Sequence, residues 1–446
     1  MRKNRLTAAL ALVLLCGLLA SCGGEQPPAA TSTVGGVQTA AQSETPADRY
    51  ELSFRITWKS YSGRGEAIQA IVDEYNAQSD TQVTVIDGDE DRDAVEALLN
   101  ENGNTVYVLP YRFIRYFGSR GYLADLTEAF ADIKDVFYDA VWALASVDDA
   151  VYGIPWLGHS MCLLYNKGIL ESAGVDADSI TDMASFISAI ETIETQTGVK
   201  GLGLVGAQSN DISWMVNQFI YGFGSALVSS DGTSVTINNE RSIEALRTYR
   251  DVLGPYAQET WLDDTAEEVQ TAFRNQEVAF EILGIWGLTD IQKNGDPFEV
   301  GILPLTVIGL CSEIGPMMLA VPANMDEQEA QAAQAFIRYM ISVQAQEEIM
   351  KGEYSPEHDT WYPFRTPIRI DMADSQIFVT HPEYLTFIQG FETPSIDVPV
   401  PAWQTVKEEI YEPGLHRVMT GDLTIEEFLG EVEQAGNQIL QDTADE

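Results

Sequence analysis

Basic residues are scarce in this 446-residue chain: 25 Lys plus Arg stand against 68 Asp plus Glu, a formal charge of −43 at pH 7. Grip on a phosphate backbone comes from Lys and Arg neutralising phosphates, so the balance argues against nucleic acid as a partner. It argues equally against adhesion to an anionic membrane through a basic patch. Long apolar runs are scarcer still. One stands at the N-terminus and is the only one, which excludes a multi-span membrane protein. Cysteine is thin as well, four in all, with only Cys162 and Cys311 in the body of the chain. Two thiols over such a length make no disulfide framework, and both are expected as small buried apolar side chains.

Catalytic signatures are also missing. There is no H-E-x-x-H, no G-x-S-x-G, no P-loop and no G-x-G-x-x-G after a strand. His159, His358, His381 and His416 are scattered without zinc-ligand spacing. Asp87, Asp89, Asp91 and Asp93 alternate as a calcium loop would. The EF-hand pattern then demands Gly at its sixth place and Glu at its twelfth. Counting from Asp87 gives Arg92 and Leu98, and counting from Asp89 gives Ala94 and Asn100. The segment reads as a solvated acidic loop. No metal and no cofactor are expected.

At the start, Arg2, Lys3 and Arg5 precede the 15 largely apolar residues 6–20. That run is short for a membrane span and has the layout of a secretory signal. It ends Leu19-Ala20-Ser21-Cys22, which resembles the lipobox of bacterial lipoproteins. The resemblance implies a signal peptide over 1–21, removed by cleavage before Cys22, and a lipid on Cys22. Gly, Pro, Ala, Ser, Thr and Gln dominate 23–48, so 22–48 is expected to be a lipid-anchored flexible linker. Its reach is about 28 Å for a flexible chain.

The body then alternates two periods. Leu52, Phe54, Ile56 and Trp58 fill every second position, as in a strand with one buried face. Ala67, Ile68, Ile71, Val72 and Tyr75 follow the helical spacing. Strands at Val83–Val85 and 105–109 enclose a helix through Val95, Leu98 and Leu99. Further on come a helix through Met183–Ile193 stopped by Gly198, and a strand around 203–206. A capping box at Thr265 precedes a buried strand over 278–283. A helix through Ala333–Ile341 and a capping box at Thr424 close the series. Strands alternating with helices predict βα units and a mainly parallel sheet. Trp58 and Trp142 are assigned to the core.

Several segments in order resemble family 1 of the extracellular solute-binding proteins of ABC importers, the group that contains maltose-binding protein. They are Val151-Tyr-Gly-Ile-Pro155 with Leu164-Tyr-Asn-Lys167, Gly174-Val175 before a Thr181-initiated helix, and Gly284-Ile-Trp-Gly287 after a strand. Gly315 to Pro322 before a 326–350 helix, and Gly421 to Leu440, continue the series. The resemblance implies an α/β, two-lobed, type II periplasmic-binding-protein fold. Each lobe would be a mostly parallel sheet flanked by helices, with three hinge crossings. Lobe 1 would hold 49–157 plus 316–362, and lobe 2 would hold 158–315 plus 363–446. The implied work is solute capture for an ABC importer, with an oligosaccharide bound in the inter-lobe cleft and the hinge closing over it. The implied protein is no enzyme. It would be a monomer on the outer face of the cytoplasmic membrane, partnered by a small solute and the transmembrane subunits of a permease. Two other readings stay open: capture of a cationic solute such as a polyamine, and an exported hydrolase or sensor-coupled receptor on the same scaffold.

Ligands of open α/β sheets sit beyond the carboxyl ends of strands. Trp286 follows a strand between two glycines and is the leading stacking candidate. His159 matches a family position that binds sugar, and it can both donate and accept. Tyr61 and Arg64 follow the first strand, and Tyr111 and Arg112 the third. Asp211 and Trp214 are expected on a loop, Trp403 opens a late helix, and Tyr362, Phe364 and Arg365 lie in the third crossing. The lipobox carries its own test. Cys22→Ser is expected to move the protein from the membrane fraction to the soluble one, and unchanged retention on fractionation counts against the anchor.

Overall fold

Two sheets, each carrying its own helices, make the body of the protein. The computed structural model describes residues 50–444 other than 61, 89–90, 102, 296, 397–399 and 401. These residues belong to one unit, Asp48–Glu446. The expected signal peptide, the linker with Cys22, and Tyr61 lie outside the described residues.

The first lobe's sheet runs in the order Thr81–Asp87, Tyr50–Ile56, Thr105–Pro110, Met317–Ala320, Ile154–Leu157. Leu52, Phe54 and Ile56 point inward at every second position, and all six residues of Thr105–Pro110 are buried. The helix Gly63–Gln78 begins where Ser62 Oγ accepts from the Gly65 N–H at 3.1 Å, and it buries Ile68, Ile71, Val72 and Tyr75. The second lobe's sheet runs Val300–Pro304, Cys162–Asn166, Val278–Leu283, Lys200–Leu202. Both capping boxes exist: Thr265 N–H donates to Glu268 Oε2 at 2.9 Å, and Thr424 N–H to Glu427 Oε2 at 3.2 Å. Gly198 ends the helix Met183–Thr197 at φ 76°, the left-handed cap only glycine takes without strain. Cys162 and Cys311 are free thiols.

Strand direction shows how the lobes are threaded. The first three strands pair parallel, as βα units require. Met317–Ala320 arrives from the other lobe and runs antiparallel to both its neighbours. In the second lobe Lys200–Leu202 pairs parallel with Val278–Leu283, whereas Cys162–Asn166 runs antiparallel to both its partners. The sheets are therefore mixed, where a mainly parallel order was expected, because strands that enter by a crossing need no helical return.

Other expectations shift locally. The strand expected over 203–206 ends at Leu202. Beyond it side chains satisfy the backbone: Leu204 N–H donates to Gln258 Oε1 at 3.0 Å and Val205 N–H to Tyr249 Oη at 3.1 Å. The helix expected over 326–350 is two, Glu327–Met340 and Val343–Lys351, because Ser342 caps the second. Asp182, not Thr181, caps Met183–Thr197. Asp87 accepts from Ser60 N–H at 2.7 Å and Asp91 from Ala94 N–H at 2.8 Å, so two residues of the acidic loop tie down backbone. Trp142 is core, stacked on Phe137 at 5.8 Å. Trp58 is only half-buried and meets Phe364 edge-on at 5.7 Å.

The two sheets are joined by three stretches of chain lying side by side. Gly158 and Thr366 exchange two backbone hydrogen bonds of 3.0 Å, Met161 N–H donates to Glu313 O at 3.0 Å, and Gly315 N–H to His159 O at 3.2 Å. These are the three crossings.

One core residue is anomalous. Glu281, in the strand Val278–Leu283, is fully buried, and neither carboxylate oxygen has a hydrogen-bond partner. Burial pushes its pKa well above the ordinary range; Asp290 raises it further and Arg274 opposes. The folded state holds it neutral. Below about pH 4.3 the unfolded chain is neutral there too, so nothing is lost. As pH rises toward the folded-state pKa only the unfolded chain ionises, and stability falls. Glu281→Gln is expected to raise the melting temperature relative to wild type by an increment that grows between pH 4.5 and pH 8. A constant increment in differential scanning calorimetry would show that Glu281 does not titrate in this window.

Candidate functional site

The crossings form the floor of a cavity of about 270 Å³ between the sheets. From the first lobe come Pro110, Tyr111, Arg112 and Met317; from the crossings His159, Met161, Glu313, Gly315, Pro316 and Arg365. From the second come Asn210, Asp211, Trp214, Ala266, Leu283, Trp286 and Lys407. Tyr111 and Trp286 each follow the carboxyl end of a strand, where ligands of such sheets collect.

Trp286 sits in the first turn of the helix Ile285–Lys293, not on a loop tip. Its ring folds back over Gly284, where any Cβ would overlap it. His159 meets the ring edge-on, centroids 4.8 Å apart and planes at 88°. The Arg365 guanidinium lies 4.7 Å from the Trp286 ring centre and 5.7 Å from that of Trp58. His159 Nε2 lies 2.9 Å from Glu313 Oε2. A carboxylate only accepts, so this contact places the ring proton on Nε2. Gly315 is required opposite, since a Cβ there would overlap the His159 ring.

Asp211 is committed internally. Its Oδ1 accepts from Trp214 Nε1 at 3.1 Å and its Oδ2 from Ala266 N–H at 3.0 Å, at the start of the helix Ala266–Arg274. The carboxylate thus sits favourably on a helix N-terminus and fixes the tilt of Trp214. Lys407, almost fully buried at 2 % exposure, reaches the cavity from the helix of the second lobe. Its Nζ lies 3.9 Å from Glu412 Oε1, which also accepts from Ser213 Oγ at 3.0 Å.

Trp286 also borders a second cavity of about 350 Å³, and Arg64 stands there with Arg274, Asp290, Lys293 and Glu353. Arg274 Nη1 holds both Asp290 oxygens, at 2.8 and 2.7 Å, and Lys293 pairs with Glu353. Burial lowers the Lys293 pKa, and the Arg64 charge lowers it further.

The structure thus gathers Trp286, His159, Asp211, Trp214, Tyr111, Arg112 and Arg365 around one cavity and puts Arg64 behind Trp286. Two candidates lie elsewhere. Tyr362 is buried with its hydroxyl 2.8 Å from His358 Nδ1, and it borders a separate surface pocket. Trp403 is 1 % exposed and packs on Tyr411 at 5.9 Å, so it belongs to the second lobe's core. The reason is helical register. Between Trp403–Val406 and Glu412–Thr420 the chain makes a π-turn, Lys407–Tyr411. The helix turns Trp403 into the core, and Lys407, four residues on where the π-helical segment begins, meets the cavity instead. Glu313, Asn210, Met161, Met317 and Lys407 carry no expectation from sequence. Glu313 adjoins the Gly315-Pro316 crossing and was findable, whereas a buried lysine leaves no pattern.

Trp403→Ala is expected to cost about 3–5 kcal/mol of stability, as large aromatic truncations in cores do. Affinity per folded molecule should stay within twofold. A stable variant that has lost binding, in paired calorimetry and titration, would return Trp403 to the site.

Residues 70–367 match the model of a family described as bacterial extracellular solute-binding protein. The chain is similar to a probable ABC transporter-binding protein of Deinococcus radiodurans, 23 % identical over 54 % of this chain and 60 % of that protein. It is also similar to the maltodextrin-binding protein MdxE of Bacillus subtilis, 23 % identical over 59 % of this chain and 62 % of that protein. The matched stretches thus span about three fifths of these curated relatives. Among solved structures it resembles the GacH receptor of Streptomyces glaucescens, known unliganded and with acarbose. That match has a TM-score of 0.72 and 21 % identity, and covers 88 % of this chain and 98 % of the receptor. The family match covers well over half of the chain, and the fold is two-lobed as its relatives' folds are: this chain belongs to the bacterial extracellular solute-binding proteins.

Proposed function

We propose that the protein captures a carbohydrate outside the cell and delivers it to an ABC permease without catalysing a reaction. The observation that carries this is the make-up of the cavity. Tyr111, Trp214 and Trp286 offer flat apolar faces, and the polar groups of His159, Glu313 and Asn210 share the space. Sugars present that mixture of C–H faces and hydroxyls. The relatives' names point the same way, one as a maltodextrin binder and one solved with acarbose. A polyamine would need carboxylates turned to the ligand, yet Asp211 and Glu313 are engaged by Trp214, Ala266 and His159. A glycoside hydrolase would need two carboxyl groups at the scissile bond, and the same engagement weighs against it.

In this reading lobe 1 comprises 49–157 with 316–362 and lobe 2 comprises 158–315 with 363–446. The monomer is held at the outer face of the cytoplasmic membrane by a lipid on Cys22. A ligand touching both lobes favours the closed state through its differential affinity.

The test is closure. Maltotriose at 100 times its dissociation constant should stabilise the fold by about 2.7 kcal/mol, remain intact by mass spectrometry, and shrink the radius of gyration in small-angle scattering. Trp286→Ala should keep the ligand-free melting temperature but lose about 2 kcal/mol of binding, at least tenfold in affinity. Cleaved sugar would make the protein an enzyme. Saturation without compaction would overturn the hinge.

A further inference from the structure

We propose that the ion pair of Lys293 with Glu353, backed by that of Arg92 with Glu408, is a clasp between the two lobes that biases the cleft toward its closed form before any solute enters. The proposal rests on the hinge reading above and adds the groups that set how readily the hinge closes.

Each pair takes one member from each lobe. Lys293 ends the helix Ile285–Lys293, which follows a strand of the second sheet. Glu353 opens the strand Glu353–Ser355, which packs on the helix Gly63–Gln78 of the first lobe. Arg92 opens the helix Arg92–Glu101, which follows the first sheet's strand Thr81–Asp87. Its guanidinium lies 3.7 Å from Glu408, in the second lobe's segment Lys407–Tyr411. None of these four side chains lines the central cavity.

The two members of the main pair are supported unequally. Glu353 is 5 % exposed, and its carboxylate lies against the start of the helix Gly63–Gln78, where a Cβ on Gly63 would approach Oε2 at 2.7 Å. A helix N-terminus favours negative charge, so Glu353 keeps support within its own lobe when the cleft opens. Lys293 has less in reserve. Asp290, one turn back on its helix, is held by Arg274 at 2.8 and 2.7 Å, and from the first lobe Arg64 shares the second cavity with Glu353. Burial lowers the Lys293 pKa and the Arg64 charge lowers it further, as expected of like charges facing each other across the lobe boundary. Glu353 thus does two things: it attracts Lys293, and it offsets Arg64.

The strength suits a clasp. The Lys293 side chain is 37 % exposed and that of Glu408 46 %, so water reaches both pairs, and pairs so placed contribute little each. Such contacts bias an equilibrium without locking it. A solute that binds the closed form has an apparent affinity reduced by the fraction of molecules that are closed. A clasp that never touches the solute therefore still sets how tightly it is held.

The experiment combines small-angle scattering of the ligand-free, full-length protein with calorimetric titration of maltotriose, in low salt and in 0.5 M NaCl. In low salt Lys293→Met and Glu353→Gln are expected to enlarge the ligand-free radius of gyration and to weaken maltotriose at least threefold. Glu353→Gln should do more, because it leaves Lys293 facing Arg64, and Arg92→Gln should act in the same direction and less. Salt should weaken maltotriose, an uncharged probe, in the wild type, because it screens the attraction between the lobes. In Glu353→Gln salt should no longer weaken it, because there it screens a repulsion. Should Glu353→Gln fold poorly, Lys293→Met decides, its side chain being partly in water. An unchanged radius and affinity in both variants would overturn the clasp. So would a lost affinity with an unchanged ligand-free radius, which would make the pair part of the ligand site. A radius that grows in the variants while the wild type leaves maltotriose unbound would keep the clasp and overturn the carbohydrate reading.

Discussion

The hydrogen-bonded ribbon of three crossings is the constraint on which the site depends. Extended chain alternates its side chains, and the ribbon uses both faces. His159 and Met161 turn to the cavity, as do Glu313 and Gly315 on the neighbouring stretch. Gly158 and Ser160 turn away: Ser160 Oγ donates to Phe387 O, and a Cβ on Gly158 would strike Ile368 and Phe391. A one-residue slip at the Gly158–Thr366 or Ser160–Ile314 pairing would exchange these faces and empty the cavity floor of its polar groups. Backbone register therefore fixes the site before any side chain does.

On that floor, crowding orders the aromatic rings beside the His159–Glu313 hydrogen bond. Gly284 leaves room for the Trp286 ring and Gly315 for the His159 ring, and the two rings then lock edge to face. Arg365 holds Trp286 from a crossing. A platform so held loses little side-chain freedom on binding, which is how a modest contact area becomes useful affinity. The glycines matter here through the space they leave, because neither has the positive φ for which glycine is usually required.

The fold was legible because periodicity is a local property. Leu52, Phe54 and Ile56, the stripe from Ala67 to Tyr75, and the Thr265 and Thr424 boxes each announce an element within a dozen residues. Where the reading strayed, the deciding partner was distant or the helix irregular. Lys200–Leu202 stops short because Gln258 and Tyr249, some 50 residues on, supply hydrogen bonds in place of a strand. Met317–Ala320 runs antiparallel because it arrives from the other lobe. Trp403 was misplaced because the packing on Tyr411 that buries it belongs to the assembled second lobe, and Lys407 was missed for the same reason. Tyr111, the first residue past its strand, was findable because a strand's carboxyl end is itself a sequence signal.

The second lobe also ties its core to its site through Glu281. Its carboxyl lies under Gly287, close enough that a Cβ there would approach Oε1 at 3.0 Å, and Gly287 is the neighbour of Trp286 on the same helical turn. Arg274 and Asp290, which form a bidentate pair at the edge of the second cavity, act on the same carboxyl through space, and with opposite signs. Neutral Glu281 fills the space beneath that turn as an uncharged side chain. Charged, it would sit in the core with no donor and with Asp290 adding repulsion, at a cost to the fold. The acid is thus buried behind the site rather than in it, packed beneath the turn that carries Trp286.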